Sequence, residues 1–148
     1  MNSNLNQTVK EFENIMAEVS MLFNKHLRQS LNDSDITPPQ LNALISIYRN
    51  DKLTMGDLSS KLLLACSTTS GLIDRLEKAG LVERRPDERD RRVIRIVLTD
   101  KGLEYVTYIL EKRRTKMEKQ LEKYSTERQK ELLENLRFIS DLLNKENT

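Results

Sequence analysis

The chain has no tryptophan, a single histidine, a single cysteine and only four glycines. Each scarcity closes off a class of chemistry. Cys66 alone cannot form an internal disulfide, which fits a reducing compartment. His26 alone makes neither a triad nor a metal site, and no cysteine or carboxylate stands at ligand spacing from it. Four glycines leave no phosphate-cradling loop and no nucleophile elbow. The carboxylates fall on polar helix faces rather than in apolar runs where a shifted pKa is expected. No catalytic residue, metal or cofactor is therefore expected, and the protein reads as a non-enzyme. No apolar run approaches the roughly 20 residues that span a bilayer. The opening MNSNLNQ lacks the basic-then-apolar order of a signal peptide. A cytoplasmic protein with no membrane partner is the expectation. Excess charge of one sign is also missing: 25 Lys and Arg face 23 Asp and Glu, so any attraction to a polyanion must come from a local patch.

What is present is helical periodicity. One domain is the default for 148 residues, and 37% hydrophobic with 32% charged residues suits a helix-rich chain with much exposed surface. Leu5, Val9, Phe12, Met16, Val19, Phe23 and Leu27 recur at steps of three and four and predict one long amphipathic helix. Asn32-Asp33-Ser34-Asp35 breaks it. Thr37-Pro38-Pro39-Gln40 is a start signal, with Thr37 as N-cap, Pro38 at the first helical position and Gln40 three after the cap. Leu41, Leu44, Ile45 and Tyr48 carry that second helix to about Arg49. Leu53-Thr54-Met55 suits a small strand. Thr54 with Asp57 opens a third helix packed through Met55, Leu58, Leu62 and Leu63. Only Leu64-Ala65-Cys66 separates it from the next, so Met55 to Lys78 fits a helix-turn-helix.

The stretch from Ser67 to Leu98 is the most informative. It reads as a helix, a short strand, an Arg-rich turn and a second strand. Ser67 is expected to cap the helix. Leu72, Leu76 and Ala79 form its buried stripe, Gly80 takes the left-handed C-terminal position, and Leu81 is the apolar residue that follows. The first turn holds only Ser67, Thr68, Thr69, Ser70 and Gly71. Small hydroxyl side chains there can approach a groove closely and bond base edges or phosphates. Thr68 to Ser70 are the expected groove-facing set, and Arg75 reaches a phosphate or braces the wing. Leu81 to Arg85 pairs with the alternating Val93 to Leu98, with Pro86 to Arg92 as the loop. Arg84, Arg85, Arg89, Arg91 and Arg92 around that turn are too dense for any core. Helix and basic hairpin together look like a DNA-reading winged helix.

Thr99-Asp100 caps a fifth helix whose stripe runs through Leu103, Val106, Leu110, Met117, Leu121 and Tyr124. Thr126 with Gln129 predicts the capping box of a sixth, carrying Leu132, Leu136, Ile139 and Leu143. The first, fifth and sixth helices have apolar faces wider than a lone domain needs, and pairing with a second copy covers them. The predicted architecture is mainly α with a small β-hairpin wing. It is a six-helix winged helix-turn-helix in one domain (1–148), with a DNA-binding lobe at about 37–98 and dimerisation helices at about 5–30 and 100–146.

Leu76-Glu77-Lys78-Ala79-Gly80-Leu81-Val82-Glu83-Arg84, then Asp90-Arg91-Arg92, then Leu98-Thr99-Asp100-Lys101-Gly102 follow in order. On these motifs the chain resembles the MarR family, the multiple-antibiotic-resistance type of regulator, over nearly its whole length. The resemblance implies a homodimer that binds a palindromic operator in double-stranded DNA, usually as a repressor. It implies that Arg92 enters the minor groove and that Asp90 holds it. It also implies a small-molecule effector where the dimer helices meet the DNA-binding lobe, with Phe12, Met16, Phe23 and Tyr48 as the candidate lining beside a core-packing role. The family commonly has Thr followed by a basic residue in mid-helix, where this chain has Ser70 and Gly71.

Plainer alternatives stand beside these. The wing could be a solvated turn in which Asp87, Glu88 and Asp90 neutralise the arginines. The frame could bind protein partners through its helices, although such a module gains nothing from five arginines around one turn. Cys66 precedes a helix N-terminus, where a dipole favours the thiolate, and an oxidation-responsive regulator is the alternative there. The hydroperoxide-sensing branch of the family carries its cysteine in the first helix, which here has none. Cys66 is accordingly expected to be inert and packed.

Overall fold

The computed structural model describes residues 3–31 and 34–145. Its elements are α1 (Ser3–Ser30), α2 (Pro38–Arg49), β1 (Leu53–Thr54), α3 (Met55–Leu62), α4 (Cys66–Lys78), β2 (Val82–Pro86), β3 (Ile94–Leu98), α5 (Asp100–Leu121) and α6 (Thr126–Asn144). The chain divides into two compact units, Met1–Leu110 and Glu111–Thr148. Asn32 and Asp33, half of the expected break after α1, lie outside the described residues. Among the described residues no helix is long and apolar enough to cross a membrane.

In the first unit, local chemistry sets most boundaries. Thr37 caps α2 in a reciprocal box: its hydroxyl accepts from Gln40 N, and Gln40 Oε1 accepts from Thr37 N at 2.8 Å. Thr54 and Asp57 make the same box at α3, and the Thr54 amide and hydroxyl hold the Asp57 carboxyl below its ordinary value. α3 ends at Leu63, a non-glycine residue in the left-handed region (φ 54°, ψ 40°). α4 ends as expected at Gly80 (φ 74°): the Leu81 amide reaches Leu76 O and the Gly80 amide reaches Glu77 O, both at 2.9 Å.

A three-stranded antiparallel sheet has the order β1-β3-β2. Leu53 pairs with Ile96, Val82 with Leu98 and Arg84 with Ile96. Leu41, Leu44, Leu58, Ile73, Leu76, Val82, Ile96 and Val106 close the core, joined by Leu27 and Leu31 from the end of α1. Each fully buried aliphatic side chain of this size contributes about 1.5–3 kcal/mol.

The head of α5 is clasped to the exit of α4. Thr99 N donates to Leu81 O, Thr99 Oγ1 to Gly80 O, and Lys101 Nζ to Ala79 O. Thr99 Oγ1 also accepts from Gly102 N, capping α5. A Cβ on Gly102 would lie 1.9 Å from Leu81 O, so only glycine permits this approach. That is the physical content of the Leu98-Thr99-Asp100-Lys101-Gly102 motif.

In the second unit the α6 cap is Ser125, which accepts from Arg128 N, and not Thr126; the cap box predicted there is one residue out of register. The Gln129 side-chain amide instead donates to Leu121 O and Tyr124 O, closing the turn from α5. No residue of α6 is buried, and Leu132, Leu133, Leu136, Phe138, Leu142 and Leu143 are all exposed.

Candidate nucleic-acid interface

The cap of α4 lies two residues earlier than expected, and this changes the role of its first turn. Ala65 is the N-cap, in extended conformation with no side-chain hydrogen bond, so Ser67 is a helical residue and not the cap. The left-handed turn at Leu63 returns the chain to extended backbone at Ala65, and α4 begins at once. Cys66 therefore lies on the first helical residue and is exposed, not packed. Ser67 and Thr68 are exposed, and Ser70 is half-buried. Thr69 leaves the expected groove-facing set, because it is fully buried and its hydroxyl donates to Ala65 O at 3.1 Å. Its spacing carried that signal: Thr69, Leu72, Ile73 and Leu76 are one inward face at i, i+3, i+4 and i+7. Outside Gly71 there is open space, since an added Cβ meets nothing within 4 Å.

The wing is the β2–β3 hairpin with its loop. The Asp87 amide donates to Val93 O at 2.8 Å, and Val93 N to Asp90 O at 2.9 Å. Asp87 Oδ1 accepts the amides of Arg89 and Asp90, folding the loop tip locally. Asp87 is held down at about 2, first by the Arg95 guanidinium and then by those two amides. Asp90 takes Arg92 from two sides, accepting from its Nε at 3.1 Å and its Nη2 at 3.2 Å, and from its amide at 3.1 Å. The same contacts, side chain first, lower the Asp90 carboxyl. Arg92 itself remains 91% exposed, so it is oriented without being buried. A side chain so held loses less rotamer entropy on meeting a ligand.

The arginines divide. Arg89, Arg91 and Arg92 are exposed on the loop, and Arg75 is exposed on α4. Arg85 pairs with Glu83. Arg84, expected as a DNA contact, turns inward: Nη2 binds Asp74 Oδ1 at 2.7 Å and Nη1 binds Glu77 Oε2 at 2.6 Å. Asp74 first, and Glu77 with it, raise its pKa further. The brace between wing and helix is Arg84, not Arg75. Arg95, which sequence reasoning left out of the site, donates Nε to Asp87 Oδ2 at 2.8 Å and Nη1 to Lys52 O at 2.9 Å. The Lys52 partner stands 43 residues away in the chain, which no local pattern reports.

The expected effector lining comes from two helices, α1 and α2. Phe12 and Met16 are half-buried on α1, whereas Phe23 and Tyr48 are exposed. Tyr48 lines a cavity of about 310 Å³ with Ile47, Asp51, Lys52, Ile96, Val97 and Leu98, a set with no α1 residue.

The model of the MarR family matches residues 36–94, which run from just before α2 into β3. The uncharacterized HTH-type transcriptional regulator YsmB of Bacillus subtilis is 38% identical over 119 residues, 80% of this chain and 82% of that protein. The B. subtilis HTH-type transcriptional repressor MdtR is 29% identical over 101 residues, 64% and 65% of the two chains. A solved MarR family protein from Bacillus stearothermophilus is 36% identical and superposes with a TM-score of 0.82, covering 100% of this chain and 99% of that one. With a braced wing beside a helix-turn-helix and these relatives, the chain belongs to the MarR family of winged-helix, DNA-binding transcriptional regulators.

Proposed function

We propose that the protein is a homodimeric, sequence-specific repressor in the cytoplasm that leaves a palindromic operator when a small-molecule effector binds. The observation that carries the DNA reading is Arg92, oriented by Asp90 and 91% exposed at the wing. Narrow A·T-rich minor grooves have an enhanced negative potential that attracts such a guanidinium. In this reading Ser67, Thr68, Ser70 and Arg75 of α4 face the major groove or its phosphates, and Arg89 and Arg91 support Arg92. Arg85 joins them by exchanging Glu83 for phosphate. Pairing is supported by the exposed apolar residues of α1 (Leu5, Val9, Val19, Phe23) and α6 (Leu132, Leu136, Phe138). Two copies would set their reading helices one DNA turn, about 34 Å, apart. Residues 37–98 are then the reading lobe, and 5–30 with 100–146 the dimerisation region. Repression is supported by the name of MdtR, and release by an effector by the family resemblance alone.

A mobility shift with the protein's own upstream DNA at two salt concentrations tests the reading. Affinity is expected to fall steeply with salt while a sequence preference survives. Arg92→Ala is expected to weaken binding about tenfold or more, as one lost groove contact of 1–3 kcal/mol implies. Unchanged affinity would remove Arg92 from the groove.

One observation favours a second reading on the same frame. Cys66 is exposed on the first residue of the reading helix, so its oxidation would place a polar group where DNA is read. Native-state thiol labelling decides it: an unreactive Cys66 ends the idea.

A further inference from the structure

We propose that Arg84 and Arg95 are positioning residues for DNA binding, two braces that hold the wing, one against α4 and the other against the α2–β1 turn, and do not themselves meet phosphate. The inference rests on the reading of the wing as a DNA-binding element and assigns different work to arginines that composition cannot tell apart. Strand register shows how the braces act. Arg84 stands opposite Ile96 and Arg95 opposite Arg85, so the two side chains leave opposite faces of the hairpin. Arg84 ties one face to α4 through Asp74 and Glu77, three residues apart on the same side of that helix. Arg95 ties the other face to the loop through Asp87 and to the α2–β1 turn through Lys52 O.

Hairpin stability and local charge assign these roles. A two-stranded ribbon is marginally stable alone, and one that swings at its base would spread its tip arginines over many positions. Fixing the base lowers the ordering cost when Arg92 docks. The charge around Arg84 points the same way. One guanidinium between two carboxylates carries a net negative charge, so that cluster offers phosphate no attraction. To reach DNA, Arg84 would have to release both partners and leave Asp74 and Glu77 facing the phosphates from the reading helix itself. Only about 29% of its side chain is exposed, and 28% of that of Arg95, against 91% for Arg92.

The test measures affinity against salt for wild-type protein, Arg92→Ala, Arg84→Ala, Arg95→Ala and the pairs with Arg92→Ala, each confirmed folded by circular dichroism. Removing a brace is expected to weaken binding about tenfold with the salt slope unchanged, because no phosphate contact is lost. Arg92→Ala, costing about tenfold alone, is expected to cost less than about twofold in the Arg84→Ala background, since the tip is already unaimed. Additive losses with a slope smaller by about 0.9 per arginine would overturn the proposal, as a phosphate contact behaves that way. So would an unchanged affinity. If Arg84→Ala fails to fold, Asp74→Asn with Glu77→Gln keeps the arginine and frees it. That variant is expected to bind operator less tightly relative to random DNA although it loses two negative charges; a higher ratio refutes the brace. Wild-type protein with no salt-dependent, sequence-preferring binding would end the DNA reading itself, and this inference with it. Additive losses at Arg84 alongside an effective Arg92→Ala end only this inference.

Discussion

The short elements around the winged helix and the long terminal helices obey different rules. Between Thr37 and Gly102 nearly every short element is fixed at its ends: boxes at Thr37 and Thr54, a glycine exit at Gly80, a clasp at Thr99. Their apolar residues close a core in which Leu41, Leu44, Leu58, Ile73 and Leu76 have no exposed surface. α6 has no buried residue, and α1 meets the core at its C-terminal end, through Leu27 and the Leu31 that follows it. A lobe of short elements draws stability from within one copy. Long amphipathic helices with exposed apolar faces draw little from within one copy, and in the proposed homodimer their share depends on concentration.

The sharpest way to break this contrast is one truncation placed in both regions. Leu44→Ala should cost about 2–5 kcal/mol in urea unfolding at every protein concentration, as a filled core position does. Leu136→Ala should cost under about 0.5 kcal/mol to the fold of one copy and should instead make the melting midpoint fall more steeply on dilution. An equal, concentration-independent loss at both sites would erase the distinction. Next in size is Gly102→Ala, which drives a methyl into the Leu81 carbonyl. We expect about 1–3 kcal/mol, the usual cost of overpacking, read by thermal unfolding. Leu63→Gly goes the other way and should stabilise by about 0.5–1 kcal/mol, because a left-handed leucine is strained and its side chain, 90% exposed, packs on little. Smallest is the acid response of the wing. Asp87 has its carboxyl depressed from 3.8 to about 2, so the stability it contributes is complete above pH 3.8 and lost as pH falls toward 2. Asp87→Asn should flatten the acid limb of the stability curve in that window and leave neutral pH behaviour to its lost hydrogen bonds.

What could be read from sequence follows the same divide between local and distant partners. Thr37 with Gln40, Thr54 with Asp57, and Gly80 are legible because cap and partner lie within four residues. The alternation from Val93 to Leu98 is legible because a strand has a period of two. Ser67 misled because it is a better capping residue than Ala65; the helix start is set instead by where the left-handed Leu63 releases the chain. Thr69 looked like a groove contact by composition, while its spacing to Leu72 and Ile73 placed it inside. Arg84 and Arg95 were beyond local reading. Their partners, Asp74, Glu77 and Lys52, meet them only after α4, β1 and the hairpin have packed. Asp90 and Arg92, two residues apart, lie at the near end of that scale.

The clasp at Ala79, Gly80 and Leu81 bears on motion. Joints that bend have slack, usually an unsatisfied carbonyl or a little space, and this one has three occupied carbonyls and no room for a methyl. The exit of α4 and the head of α5 therefore travel as a single casting. α5 is then a handle rather than a tether, and a roll of its first turn is expected to carry the exit of α4 with it.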